Sequence, residues 1–195
     1  NTKVVRLEEY TPNIIQHLNL LLEKGKQILV KTSPLLDIKQ AIEQLPQLKE
    51  IHVIAVNNEC KELLFLIDAN SSKKQTSIIC KDLLKDSTFK FDYEQEFNCN
   101  INLSLPQKYI YEPNVSILKA GAFKSIALSF DISKLHARSH LYTSENYVKE
   151  FPGRCFVLNT ICRLNKKEIQ TVLKSKKANI SKRNFPNSVN EIRKK

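Results

Sequence analysis

Between residues 12 and 68 the hydrophobic spacing alternates between helical and extended, and this rhythm constrains the chain more than any other feature. Ile14, Ile15, Leu18, Leu21 and Leu22 recur at helical intervals until Gly25, which predicts a helix over 12–24 with Thr11 as cap and Pro12 at its first position. Gln27-Ile28-Leu29-Val30-Lys31-Thr32 is a short run with a nearly continuous apolar centre, the pattern of a buried parallel strand. Leu35, Leu36, Ile38, Ala41, Ile42 and Leu45 give a second helical stripe closed by Pro46, and Glu50 to Val56 a second strand. Helix, strand, helix, strand is the order of a doubly wound α/β sheet. Only Asn57-Asn58-Glu59 then precedes the apolar run from Leu63 to Asp68, too short a link for a crossover, so the third strand must run antiparallel to the second.

Ser71-Ser72-Lys73-Lys74-Gln75 is a polar turn, and further strands are expected over 77–81 and 89–97. A new region opens at Pro106. Asn114 can cap a helix over 115–130, with Val115, Leu118, Ala122, Ile126 and Phe130 on one face and Gly121 admitting a close neighbour. Phe151-Pro152-Gly153 marks a boundary. Beyond it the pattern predicts a strand over 154–163, a helix over 166–177 with Ile169, Val172 and Leu173 inward, a strand over 179–185, and a helix opened by the capping box Ser188-Val189-Asn190-Glu191. The domains expected are therefore 1–105, 106–150 and 151–195.

Composition excludes several classes. The chain has 195 residues, 42% of them hydrophobic, with 3 Gly, no Trp and no apolar run near the ~20 residues a membrane-spanning helix needs. It opens on Asn1 and contains no Met, and is read as an excised fragment. Glycines at 25, 121 and 153 cannot build a Gly-rich phosphate loop. Cys60, Cys80, Cys99, Cys155 and Cys162 include no C-x-x-C pair. With four of them in apolar or β-branched stretches, they read as free, buried thiols of a reducing, cytoplasmic compartment. His136 and His140, four residues apart in a loop, are too little for a metal site, so no metal is expected.

Charge is segregated along the chain. Residues 1–105 carry 13 basic and 14 acidic side chains, whereas residues 106–195 carry 18 and 6, and residues 163–195 alone carry 11 and 2. An excess confined to one end points to a polyanionic partner such as RNA. In an open α/β sheet, ligands bind beyond the carboxyl ends of the parallel strands. That rule selects Lys31, Thr32, Ser33 and Pro34 after the first strand and Asn58 and Glu59 after the second as rim residues expected to converge. Thr, Ser and Asn at such places also serve as simple turn and helix caps.

Long ordered strings then carry a resemblance. Val30-Lys31-Thr32-Ser33-Pro34-Leu35-Leu36-Asp37-Ile38 and Val56-Asn57-Asn58-Glu59-Cys60-Lys61-Glu62-Leu63-Leu64 resemble the last third of the catalytic domain in a bacterial family of class I S-adenosylmethionine-dependent methyltransferases with a THUMP-like C-terminal domain. Tyr109-Ile110-Tyr111-Glu112-Pro113-Asn114, Leu118-Lys119-Ala120-Gly121-Ala122-Phe123 and His140-Leu141-Tyr142-Thr143-Ser144 look like its small ferredoxin-like insert. Phe151-Pro152-Gly153-Arg154, Lys177-Ala178-Asn179-Ile180 and Lys182-Arg183-Asn184-Phe185-Pro186 look like its THUMP-like domain.

The resemblance implies an α/β fold: the C-terminal part of a Rossmann-like methyltransferase sheet, ending in one antiparallel hairpin strand, followed by small α+β ferredoxin-like and THUMP-like units. It implies methyl transfer from S-adenosylmethionine to RNA, tRNA or rRNA, with the cofactor loop and catalytic segment upstream of Asn1, so that this piece alone is expected to bind no cofactor and to be inactive. Substrate RNA is expected on Lys166, Lys167, Lys174, Lys176, Lys177, Lys182 and Arg183. The competing reading is a non-catalytic RNA-binding or interaction module on an α/β scaffold.

Overall fold

A computed structural model describes residues 6–71, 76–173, 177–183 and 185–194. Its first part runs α1 (Ile14–Lys24), β1 (Gln27–Thr32), α2 (Ile38–Gln44), β2 (Leu48–Val56), β3 (Glu59–Asp68), β4 (Ser77–Asp82), β5 (Ser87–Phe91) and α3 (Tyr93–Asn98). Asn13, not Thr11, caps α1, its Oδ1 accepting from the Ile15 amide at 3.0 Å. The expected strand over 89–97 ends at Phe91 because the Asp92 carboxylate accepts from the Gln95 amide and starts α3 instead.

The strands form one sheet in the order β1-β3-β2-β4-β5. β3 is antiparallel to both β1 and β2, so β1 and β2 run the same way without touching, and β4 lies parallel to β2 on the far side. The antiparallel hairpin strand is thus present, inserted between the two like-directed strands. β1 is the edge of the sheet and not the buried strand its sequence suggests: Ile28 and Val30 pack against the core, while Leu29 between them is 62% exposed. Its outer edge is unpaired among the described residues.

The second part runs β6 (Tyr109–Pro113), α4 (Val115–Ala120), α5 (Ser125–Ser129), β7 (Ser133–Lys134), β8 (Tyr142–Ser144) and β9 (Gly153–Val157), its strands forming an antiparallel sheet in the order β7-β8-β6-β9. The single helix expected over 115–130 is two helices. Gly121 ends α4 in the left-handed conformation (φ 79°), with the Ala122 amide returning to the Ile117 carbonyl, and a Cβ there would meet nothing within 4 Å. Gly121 therefore serves backbone freedom rather than close packing. α4 packs on β2, β3 and β4, and one hydrophobic core runs from Leu63, Phe65 and Ile78 through Ile117 and Ala120 to Tyr111 and Tyr142.

After β9 come α6 (Lys166–Val172) and α7 (Val189–Arg193), the latter with the expected capping box between Ser188 and Glu191. α6 stops short of Lys177, and residues 177–183 form no strand. No residue of α6 or α7 is buried, so Ile169, Val172 and Leu173 do not make an inward stripe. Cys155 and Cys162 are exposed rather than buried, whereas Cys80 and Cys99 are buried and Cys60 half-buried; all five are free.

Candidate functional site

The carboxyl ends of β1, β2 and β4 emerge at one end of the first sheet, as strand polarity requires. They do not emerge level. Thr32 lies opposite Leu63 of β3, whereas Val56 lies opposite Glu59, so β1 stops four residues below the tip of the β2–β3 hairpin. That step is roughly 13 Å at ~3.3 Å per residue, with β3 also standing between the two ends. The clusters expected to converge stay apart. Each rim side chain is also occupied locally: Lys31 pairs with Glu62 at 3.0 Å, Ser33 Oγ accepts from the Leu35 amide at 3.2 Å, and Glu59 accepts from Lys61 at 2.7 Å. Thr32 is buried and Pro34 half-buried. Asn58 Oδ1 accepts from the Val115 amide at 3.1 Å, in the first turn of α4. The rim side chains are thus engaged in local hydrogen bonds and ion pairs.

What the rim does hold is the second part of the chain. Asp82, 4% exposed at the end of β4, accepts from the Asn114 side-chain amide at 2.8 Å through Oδ2 and from the Leu84 amide through Oδ1. Asn114 Oδ1 in turn accepts from the amide and hydroxyl of Ser116, capping α4, while its own backbone amide donates to the Pro152 carbonyl. Lys85 Nζ reaches the Gly153 carbonyl at 2.8 Å. Asp82, Asn114, Lys85 and Gly153, with Asn57, Asn58, Leu84 and Arg154, line a cleft of about 240 Å³.

The cationic residues fall into two groups. Lys166 and Lys167 open α6 and are exposed, and Lys177 is exposed beyond it, whereas Lys174 and Lys176 lie outside the described residues. Lys182 Nζ donates to the Phe185 carbonyl at 3.3 Å. Arg183 is different: its guanidinium pairs with Glu112 Oε1, and Arg154 pairs with the other carboxylate oxygen, Nε to Oε2 at 2.9 Å and Nη2 to the same atom. The Glu112 side chain is 7% exposed, and both arginine side chains are 42% exposed. A buried carboxylate thus holds two arginines at the surface.

Sequence reasoning selected Arg183 but missed Glu112, Arg154 and Asp82. A usable signal existed for Glu112, a lone acid on the otherwise uncharged strand β6, where a buried charge needs a partner. Burial pushes the Cys60 thiol up, partly opposed by Lys119, and pushes Cys80 up much further, which disfavours the thiolate at both. No group of three or more metal-ligating side chains occurs among the described residues, and no helix there is long and apolar enough to cross a membrane.

Residues 109–152 match the family model of a ferredoxin-like domain, and residues 153–195 match that of a THUMP domain-like unit. The fold is that of a crystal structure from Porphyromonas gingivalis W83 described as a "putative methyltransferase", with TM-score 0.90 and 37% sequence identity over 98% of this chain. The chain spans about half of that protein, 49% of its length. Among curated proteins none matches. The two domain matches and this neighbour bear out the resemblance drawn from the sequence, and the α/β architecture with its two smaller units agrees with it.

Proposed function

We propose that this chain is the C-terminal part of an S-adenosylmethionine-dependent methyltransferase acting on RNA, in which the α/β half completes the catalytic sheet and the basic end holds the substrate. One observation carries the reading: β3 is inserted antiparallel between β1 and β2, leaving the edge of β1 open, in a chain 37% identical to a protein of twice its length. An open edge strand with an exposed apolar residue is a place for further strands to pair. The remaining strands of the sheet, the cofactor pocket and the catalytic groups are assigned to the part of the protein that precedes this chain.

This chain's own residues then do two things. Asp82, Asn58 and Asn114 fix the ferredoxin-like unit onto the rim of the sheet, at the end where an α/β enzyme binds its ligands. β9 continues the ferredoxin-like sheet into the basic segment, so substrate held there has a fixed position relative to that rim. S-adenosylmethionine, when bound upstream, would supply the methyl group.

The test is transfer of radiolabelled methyl groups from S-adenosylmethionine to total RNA, by the full-length protein and by this chain alone. Label that survives protease, is released by ribonuclease and requires the full-length protein is the expected result. Label recovered in protein overturns the RNA assignment, and no label with the full-length enzyme overturns the reading in favour of a binding module on an α/β scaffold.

A further inference from the structure

On the outer face of the second sheet, Glu112 of β6 sits opposite Arg154 of β9, and Ile110 opposite Phe156, because alternate residues of paired strands share a face. Phe156 is an aromatic ring left 48% exposed, with the Arg154 guanidinium 5.6 Å from its centroid. Arg183 comes onto this face from the basic end through its pair with Glu112, and it also donates to the Lys182 carbonyl. Phe185, 41% exposed, follows. The result is an exposed ring and two exposed guanidiniums, held around one buried carboxylate.

Two guanidiniums outweigh the one carboxylate, so the cluster stays net positive toward an incoming anion while Glu112 fixes both in place. Arg carries five N–H donors, so the pairs with Glu112 leave donors on each side chain for a phosphate. An aromatic ring beside arginines on a sheet face fits an unstacked base with its flanking phosphates, whereas a duplex hides its base faces. The charge of this end, 11 basic against 2 acidic side chains over residues 163–195, matches the sign of that partner.

We infer that the Arg154–Glu112–Arg183 cluster and Phe156 form a binding site for single-stranded RNA, the arginines taking phosphates and Phe156 stacking a base. Glu112 is the positioning residue. The inference rests on the RNA reading above and makes it specific: the bound segment is unpaired, and this face takes its base, while the lysines of α6 meet flanking phosphates.

The test is fluorescence anisotropy with the full chain, using a 12-nucleotide single-stranded RNA and a hairpin duplex. Phe156→Ala is expected to weaken single-strand binding roughly five- to hundred-fold, the range for loss of one base stack, with duplex binding unchanged and Phe156→Trp retaining affinity. Arg154→Lys, which keeps the charge but not the fork, is expected to weaken the single strand as well. Phe156 is at the surface, so the Ala variant should keep the parent thermal midpoint, which the same samples report. If the parent binds RNA and Phe156→Ala binds both probes as the parent does, this site is wrong and the broader reading stands. If the parent binds neither probe, the RNA reading itself falls.

Discussion

Gly153 shows how much one residue can decide. A Cβ there would lie 2.2 Å from the Glu112 carbonyl oxygen, 2.7 Å from a Phe151 ring carbon and 2.9 Å from the Pro113 Cα. Two of these are backbone atoms in the paired β6–β9 register and cannot swing aside. Gly153→Ala is expected to cost about 3 kcal/mol, seen as a thermal midpoint roughly 6–12 °C below the parent. Asp68 gives a second prediction. Hydrogen bonds from Gln27, from the Asn70 amide and from Lys49 hold its carboxyl down at about 2. A depressed carboxyl contributes stability that is complete above its unfolded value near ~3.9 and is lost as pH falls through the folded one. Urea midpoints measured from pH 5 down to pH 2 should therefore fall through that window in the parent, and Asp68→Asn should lack this component. Equal slopes in the two proteins would remove Asp68 from the acid sensitivity.

At the scale of elements, the junction between β4 and α4 depends on Asn114 twice over, as helix cap and as donor to Asp82. Asn114→Ala should cost about 2–3 kcal/mol, from the missing cap together with a buried carboxylate oxygen left without its donor. Asn114→Asp separates the two contributions. It keeps the capping oxygen but sets a second carboxylate against Asp82, so a loss of stability at neutral pH that is relieved on acidification marks the bond between units as the larger effect. Denaturant unfolding at pH 7 and pH 4.5 distinguishes them, and an Asp variant as stable as the parent at both would leave the cap as the only role. The sequence disclosed the cap, because Asn before Val115-Ser116-Ile117 is a local signal. Nothing local disclosed the bond to Asp82, which lies 32 residues away. The same limit applies at Gly121 and Asp92: apolar spacing continued through both, yet a left-handed residue ended one helix and a capping carboxylate began another.

At the scale of the molecule, the uneven charge predicts a salt dependence. Lys166 and Lys167 are exposed at the start of α6, so Lys166→Glu with Lys167→Glu should leave the thermal midpoint unchanged and flatten the dependence of RNA affinity on salt, by ~0.7 in log–log slope for each phosphate no longer neutralised. A double variant with the parent slope would make that helix a solvated face. The antiparallel third strand, the two small units and the basic end could all be read in the sequence, because link length, Gly and Pro punctuation and charge are carried by neighbouring residues. The rim could be read only in part. Strand polarity brought Thr32–Pro34 and Asn57–Glu59 to one end, but the four-residue step between Thr32 and Val56 comes from the register of β3 against both strands. The exposure of β1 and the pairing of β9 with β6 were likewise decided by which strand lies beside which. Glu112 became the anchor of two arginines for the same reason: pairing across strands set Arg154 opposite it, and the return of the chain brought Arg183 to its other oxygen. The sequence determined what each segment could become, through local period and charge; only tertiary structure decided which lone charges met, because burial makes an unpaired charge costly and the fold supplies its partner.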